Sequence, residues 1–109
     1  MEVRRGDLIV LAMPGDYGKP RPAIVVQDDA FSSLNSVTVM PLTGTLRNSP
    51  LIRLAVEPTP ENGLQRRSQV MIDKMGTADR GRIRQRIGRI DGQTMQAADA
   101  ALIRFLGLR

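Results

Sequence analysis

The apolar residues of the first three quarters of the chain fall into short runs separated by turn-forming residues. Proline and glycine interrupt these runs repeatedly, as in Pro14-Gly15, and Glu61-Asn62-Gly63 supplies a further turn. Short runs bounded by turn residues are typical of β-strands rather than helices. Five strands are therefore predicted, at Gly6–Met13, Ala23–Gln27, Ser36–Leu42, Leu51–Val56 and Ser68–Met75. The second run is continuously apolar, which predicts a strand buried on both faces.

The last thirty residues show a different pattern. Asp79–Gln85 is predicted to form one helical turn, and Ile87–Ile90 a sixth short strand. Asp91 is a good N-cap residue and Gly107 a good terminator, so a helix is predicted between them. Apolar residues recur within it at helical spacing, at Met95, Ala98, Leu102, Phe105 and Leu106. Six strands and one terminal helix predict a small, mostly β barrel with a C-terminal helix.

Composition limits what this fold can contain. A chain of 109 residues has room for a single domain, predicted to span residues 1–109. Hydrophobic residues make up 41% of the chain and only three are aromatic, so the core must be aliphatic and benefits from burial in a homodimer. Cysteine is absent, and no segment has the pattern of a membrane span or a signal peptide. A soluble, cytoplasmic protein is predicted.

The charged residues indicate which binding partners and which kinds of catalysis are compatible with this chain. The chain carries 16 Lys and Arg against 11 Asp and Glu, for a net charge of +5, and most of the cations are Arg. Arg binds phosphate oxygens in a bidentate manner, so the bias suits a polyanion, although an Arg-rich solvated surface explains it equally well. Histidine is absent, which excludes an imidazole proton shuttle and a histidine-ligated metal. No metal or cofactor is predicted.

Three residues are candidates for chemistry. Pro22 biases Arg21 toward an extended backbone at the mouth of a strand, where a guanidinium can either bind phosphate or form an ordinary salt bridge. Thr43 ends the third strand beside Gly44, where its hydroxyl can contact an anion or bond its own backbone. Asp73 is predicted to lie in the fifth strand, where a carboxylate is usually exposed or paired.

The order of three motifs resembles one known family. Arg5-Gly6-Asp7 opens the first strand, Arg21-Pro22-Ala23 followed by valines forms the second, and Val39-Met40-Pro41-Leu42-Thr43 ends the third. This order resembles the MazF/PemK (Kid) toxin endoribonucleases from about Arg5 to the C-terminus. The resemblance implies an SH3-like barrel with a C-terminal helix. It also implies the toxin of a type II toxin–antitoxin system, a metal-independent enzyme that cuts single-stranded mRNA at a short motif and leaves 2′,3′-cyclic phosphate and 5′-hydroxyl ends.

The resemblance also implies roles for individual residues. Arg21 matches the arginine used at the scissile phosphate, Thr43 matches a donor to that phosphate, and Asp73 matches the aspartate of an R-x-D signature to which some members assign acid–base work. Met71 stands where that signature has its arginine, and the first-loop histidine of some members is missing. Contacts to RNA are expected from Tyr17, Lys19, Gly44, Thr45, Arg47 and Lys74, with Tyr17 able to stack on a base. A cluster of five arginines is instead expected to be solvated surface: Arg80, Arg82, Arg84, Arg86 and Arg89.

Partners and alternatives follow from the same resemblance. It implies a homodimer and an antitoxin whose acidic, disordered segment competes with RNA. The main alternative is a CcdB-like, non-enzymatic toxin that binds DNA gyrase, but that protein relies on a C-terminal Trp-Gly-Ile and this chain has no tryptophan. A third possibility is a decayed member that binds only its antitoxin or operator DNA.

Overall fold

The computed structural model describes residues 2–15 and 17–108, which form a bent antiparallel sheet closed by a C-terminal helix. The described strands are β1 (Asp7–Leu11), β2 (Arg21–Val25), β3 (Ser36–Thr43), β4 (Arg53–Val56), β5 (Ser68–Met71), β6 (Gly76–Asp79) and β7 (Ile83–Arg89), and the helix is α1 (Gly92–Leu106). Short 3-10 turns lie at Asp29–Phe31, Ile72–Lys74 and Arg80–Arg82. The predicted mostly β fold with a C-terminal helix is confirmed.

The long strand β3 organises the sheet. The strand order is β4-β5-β3-β2-β1-β7, and β6 pairs with β3 off this path. The first half of β3 pairs with β6 and its last two residues pair with β5, while β2 runs along its other edge with Ala23 opposite Pro41. Because β3 contacts three strands, its C-terminal end at Thr43 lies where β2 and β5 come together.

The sheet buries apolar side chains on both faces. One core contains Leu8, Ile24 and Met40 and is covered by α1, and a second core contains Ile9 and Val25. Successive side chains of a strand point to opposite faces, so the strongly apolar β2 supplies both cores at once. The prediction that this strand is buried on both faces is therefore confirmed.

The helix begins and ends where its sequence signals lie. The carboxylate of Asp91 accepts hydrogen bonds from Thr94 N at 3.0 Å and Thr94 Oγ1 at 2.6 Å, which satisfies an otherwise unpaired donor of the first turn. These bonds hold the pKa of the Asp91 carboxyl below its ordinary value. Gly107 terminates the helix at φ 72°, a left-handed conformation that glycine adopts easily. No helix within the described residues is long and apolar enough to cross a membrane.

Several predicted boundaries were wrong. The strand predicted at Ser68–Met75 ends at Met71, and a 3-10 turn and the separate strand β6 follow it. Val70 and Ile72 still share one core, as their two-residue spacing predicts, but the chain leaves the strand at Ile72 and enters the 3-10 turn Ile72–Lys74. The helical turn predicted over Asp79–Gln85 forms only at Arg80–Arg82, because β7 begins at the next residue, Ile83.

Other strand limits also differ from the prediction. β1 is shorter than Gly6–Met13, β2 begins at Arg21 rather than Ala23, and β4 begins at Arg53 rather than Leu51. Proline lacks a backbone donor, yet Pro22 is accepted as the second residue of β2, opposite Val10. Arg21 therefore belongs to the sheet itself, and its backbone position is fixed by the strand.

Candidate functional site

Arg21 lies at one end of the sheet, in a cleft of about 350 Å³. It is half-buried, it pairs with Leu11 of β1, and the β2–β3 register continued by two residues places it opposite Thr43. Both residues lie on the face of the second core, because Arg21 is two residues from Ala23, Thr43 is two residues from Pro41, and residues two apart in a strand share a face. The cleft is lined by Met13, Pro14, Arg21, Pro41, Met71 and Lys74. The strand register therefore places Arg21 and Thr43 at the same end of the sheet.

The loop that follows Thr43 is held in a defined shape. Thr43 Oγ1 accepts a hydrogen bond from Thr45 N at 3.1 Å, which leaves the hydroxyl proton able to donate to a ligand. Further along, Gln69 of β5 accepts from Arg47 N at 3.1 Å and donates to Arg47 O at 2.9 Å. One side-chain amide thus fixes both backbone groups of Arg47, so this part of the expected RNA-binding loop is preorganised.

Gly44 lies against a neighbour that the sequence did not reveal. A Cβ atom at this position would lie 2.7 Å from both Nε and NH2 of Arg66, so the guanidinium of Arg66 rests directly against the glycine. The expectation for Gly44 was close approach of the backbone to an anion. The structure shows close approach to a cation, which adds a positive charge beside Thr43 from the loop that precedes β5.

Asp73 lies in the 3-10 turn after β5 and forms an ion pair with Arg53. Arg53 is only 8% exposed, also donates to its neighbour's carbonyl, and its Cα is paired with that of Met71. Burial alone would raise the pKa of the Asp73 carboxyl, but the hydrogen bond and the charge of Arg53 outweigh it, so that pKa lies below its ordinary value. The prediction that Asp73 lies in the fifth strand was wrong, because that strand ends at Met71, whereas the expectation that its carboxylate is paired agrees with the ion pair to Arg53.

Arg53 approaches Asp73 from the strand next to β5. The signature arginine would stand at position 71, and Arg53 reaches Asp73 from the strand position directly opposite. Cross-strand neighbours lie close enough for such an exchange. Nothing in the linear sequence pairs these two residues, which are twenty positions apart, so only the sheet register could identify the contact.

The first loop presents two of the expected RNA contacts to solvent. Tyr17 is completely exposed and has φ 55°, an uncommon conformation for a residue other than glycine, between Gly15 and Gly18, which also have positive φ. Lys19 is exposed, as are Thr45, Arg47 and Lys74. Asp16, in the same loop, lies outside the described residues. Lys74 is the one of these exposed residues that lines the Arg21 cleft.

Most of the predicted solvated arginine cluster is engaged with the protein. This cluster, the β7 arginine segment, consists of Arg80, Arg82, Arg84, Arg86 and Arg89. Arg80 donates to the carbonyls of Leu34 and Ser32, while Arg86 and Arg89 both bind buried Asp7, at 3.2 and 2.9 Å. Arg82 and Arg84 make no side-chain hydrogen bond or ion pair with the described part of the chain and are exposed.

Carboxylates are dispersed across the fold. Among residues 2–15 and 17–108, no three carboxylates lie close enough together to hold a metal ion. The groups that the described sheet end offers to a ligand include one half-buried arginine, one hydroxyl and exposed cations.

The chain is similar to several known proteins. A family model described as PemK-like, MazF-like toxin of type II toxin-antitoxin system matches residues 4–106. The chain is 45% identical over 107 residues to a probable endoribonuclease MazF of Mycolicibacterium smegmatis, which covers 97% of this chain and 98% of that relative.

Solved structures show the same fold at lower sequence identity. The Mycobacterium tuberculosis toxin MazF-mt6 matches with a TM-score of 0.81 and 23% identity, over 94% of this chain and 98% of that one. A mycobacterial endoribonuclease in complex with its cognate antitoxin matches with a TM-score of 0.81 and 23% identity, over 98% and 97%. A MazE-MazF complex from Deinococcus radiodurans matches with 0.80 and 18%, over 100% and 99%.

Proposed function

The chain belongs to the PemK-like, MazF-like toxins of type II toxin–antitoxin systems, and from this membership we propose that it is an endoribonuclease that cuts single-stranded RNA. The observation that carries the proposal is the 45% identity to a probable endoribonuclease MazF over nearly the full length of both chains. The sheet-end placement of Arg21 and Thr43 supports it independently, because a polyanion needs a fixed cation and a nearby donor.

The proposed reaction is an internal transfer within the RNA. The 2′-oxygen attacks the adjacent phosphorus, the bond from phosphorus to the 5′-oxygen breaks, and the products are a 2′,3′-cyclic phosphate and a 5′-hydroxyl. The 2′-hydroxyl loses one proton and the 5′-oxygen gains one, so the step is balanced without a further reactant. Such a reaction requires mainly positioning and charge stabilisation.

Arg21 and Thr43 divide this work. The guanidinium of Arg21 binds the non-bridging phosphate oxygens and stabilises the extra negative charge of the transition state. The Thr43 hydroxyl, whose oxygen already accepts a hydrogen bond from Thr45 N, donates a hydrogen bond to the same phosphate. Arg21 does not act as a base, because an arginine side chain keeps its proton in proteins.

Proton transfer by Asp73 stays a prediction that the local electrostatics disfavour. A carboxylate with a lowered pKa and a guanidinium already bound to it is a weak base, since the proton would have to displace Arg53. We propose instead that the Arg53–Asp73 pair fixes the 3-10 turn that carries Lys74 into the cleft. Asp73 is then a positioning residue.

The RNA path runs across the exposed residues around the cleft. Tyr17 offers an exposed ring for stacking on a base, and Lys19 and Lys74 offer charges for the phosphates. The Thr43–Arg47 loop forms the other side of the path, with Gly44 and Thr45 contributing backbone groups. Long-range attraction of RNA is consistent with the net charge of +5.

The partners are those of a type II toxin. We propose a cognate protein antitoxin with an acidic segment that occupies the cleft and competes with RNA. Action on mRNA also places the protein in the cytoplasm. A homodimer would cover apolar side chains that are exposed near the end of α1, at Ile103, Phe105, Leu106 and Leu108.

Incubation of the purified protein with end-labelled RNA tests the proposal. Discrete cleavage by the wild type and none by Arg21→Ala is the expected result. Intact RNA together with inhibition of DNA gyrase would support the CcdB-like alternative. Intact RNA together with binding to the antitoxin or operator DNA alone would indicate a decayed member. Either result would overturn the enzymatic proposal.

A further inference from the structure

A second cleft, of about 250 Å³, opens beside the first at the same end of the sheet. We name it the barrel-end pocket, and its floor and rim are formed by Val10, Pro22, Leu42, Gly44, Gly63, Leu64, Gln65, Arg66, Ser68, Gln85 and Ile87. Pro22 and Gly44 are the chain neighbours of Arg21 and Thr43. Strand alternation turns Pro22 and Leu42 to the face opposite Arg21, so the two clefts flank the Thr43–Gly44 connection.

One wall of the pocket is held in place by hydrogen bonds and close backbone packing. Buried Asn62 accepts hydrogen bonds from Thr59 N at 3.1 Å and Leu64 N at 2.9 Å and donates to Glu57 O at 2.9 Å. A Cβ atom on Gly63 would lie 2.0 Å from Ile87 O, so this turn packs directly on β7. The wall therefore holds its shape without a ligand.

Its chemistry combines an apolar floor with a polar rim. Val10, Pro22, Leu42, Leu64 and Ile87 supply the floor. Buried Ser68 donates to Arg66 O at 3.1 Å and so fixes the backbone that carries the Arg66 guanidinium to the rim. Exposed Gln65 and Gln85 add two amides, each of which both donates and accepts, and the lining contains no carboxylate.

We propose that the barrel-end pocket binds one unstacked nucleobase next to the scissile phosphate and thereby sets the base preference at that position. Sequence-specific RNA recognition uses splayed-out bases that stack on arginine planes and bond along their edges, and the Arg66 and Gln85 side chains supply both contacts. An apolar antitoxin side chain would fill the floor but leave the amides at the rim without partners. The inference rests on the proposed function, because Arg21 must fix the neighbouring phosphate.

The test compares Gln85→Leu and Arg66→Ala with a matched control. Arg67→Ala removes the same charge one residue away from Arg66, and Arg67 is exposed, binds Glu57 at 2.7 Å and does not line the pocket. Each protein cuts an RNA library with randomised bases, and the ends are sequenced. We expect base preference at one position beside the cut to fall about tenfold to a hundredfold in both pocket variants and to be unchanged in Arg67→Ala.

A binding measurement separates this inference from the proposed function. RNA oligonucleotides that differ only in that base, with a 2′-deoxy sugar at the cut, are titrated against each protein. The wild type should discriminate among the bases, and Gln85→Leu should lose that discrimination while far-ultraviolet circular dichroism shows an unchanged fold. Cleavage by the wild type with unchanged preference in folded pocket variants would overturn the pocket but leave the enzyme. Pocket variants that weaken only antitoxin binding would overturn it as well.

Discussion

Two regions of this protein concentrate positive charge, and they use it differently. In the β7 arginine segment, three of five guanidinium groups bind carbonyls or the carboxylate of Asp7. At the sheet end, the side chains of Lys19, Arg47, Arg66 and Lys74 make no hydrogen bond or ion pair with any described residue. Lys74 lines the cleft that contains Arg21, and Arg66 lies against Gly44. The arginines of the β7 segment are close together in the sequence, and a solvated surface was nevertheless the expectation for them.

The difference shows that charge density along a sequence does not locate a polyanion site. A guanidinium bound to a carboxylate contributes little net field, whereas cations around a concave surface with low-dielectric walls raise the local potential. The sheet end also provides Thr43 and the fixed loop, which the β7 segment lacks. We therefore expect substitutions at the two regions to have very different effects on RNA cleavage.

Arg21→Ala should have the largest effect. Loss of the phosphate-binding guanidinium should reduce cleavage by more than about 10³-fold, because the transition state loses its main charge stabilisation. Single-turnover cleavage of labelled RNA measures this, with circular dichroism confirming the fold. Arg84→Ala is the matched control and should cleave at the wild-type rate. Full activity in folded Arg21→Ala would remove the distinction between the two regions.

Thr43→Ala should follow, with a loss of about 10²-fold, the usual contribution of one transition-state donor. Thr43→Ser keeps the hydroxyl and should retain most of the rate. Because Thr45 N loses its acceptor in Thr43→Ala but not in Thr43→Ser, thermal unfolding of both variants separates loop stability from chemistry. Equal rates in Ala and Ser variants would show that the hydroxyl only organises the loop.

Asp73→Asn should reduce cleavage by less than about tenfold but should destabilise the fold. Loss of the carboxylate leaves nearly buried Arg53 without its charge partner, at a cost of about 2 kcal/mol in the free energy of unfolding. Urea denaturation measures the cost, and steady-state kinetics measures the rate. A loss of cleavage of several hundredfold with an unchanged pH profile of stability would instead assign proton transfer to Asp73.

The same pair predicts a direction for the pH dependence of stability. The pKa of Asp73 is lower in the folded state than its ordinary value of 3.8, so the pair stabilises the protein above that pH. This stabilisation should be lost as the pH falls from about 4 through the folded-state pKa. Asp73→Asn should therefore lose less stability than the wild type over that acid range.

Lys74→Ala should have a smaller effect that depends on salt. Lys74 lines the cleft and forms no ion pair with a described residue, so its removal should raise KM a few-fold at low salt. The slope of the logarithm of the RNA-binding constant against the logarithm of the salt concentration should become less steep by about one. Fluorescence anisotropy at several salt concentrations measures both. An unchanged slope would place Lys74 outside the RNA path.

Arg82→Ala should have the smallest effect, less than about twofold in both rate and affinity. Arg82 is exposed in the β7 arginine segment and lines neither cleft. The same titration measures it. A salt slope that falls as much as in Lys74→Ala would mean that RNA also follows the β7 segment.

Local signals predicted much of this fold because they act over a few residues. The double burial of β2 follows from its unbroken apolar run, and the limits of α1 follow from the caps Asp91 and Gly107. The break between β5 and β6 escaped prediction because the two-residue period continues across it: Val70 in β5 and Ile72 in the 3-10 turn share one core, so the apolar pattern does not show where the strand ends.

The candidate site was predictable only in part. Arg21 and Thr43 could be selected because the ordered motifs that contain them resemble one family, and the β2–β3 register continued by two residues places them opposite each other. Arg53 and Arg66 could not, because their contacts with Asp73 and Gly44 join residues about twenty positions apart through sheet register and loop packing. Such contacts depend on tertiary geometry and leave no periodic trace in the sequence.

Identification of the RNA ends produced in excess EDTA tests the central claim most directly. If Arg21 and Thr43 act by positioning and charge stabilisation, cleavage should continue in EDTA. The upstream product should end in a 2′,3′-cyclic phosphate that resists phosphatase until the ring is opened, and the downstream product should begin with a 5′-hydroxyl. Loss of cleavage in EDTA with recovery on adding magnesium, or a 5′-phosphate on the downstream product, would contradict the account.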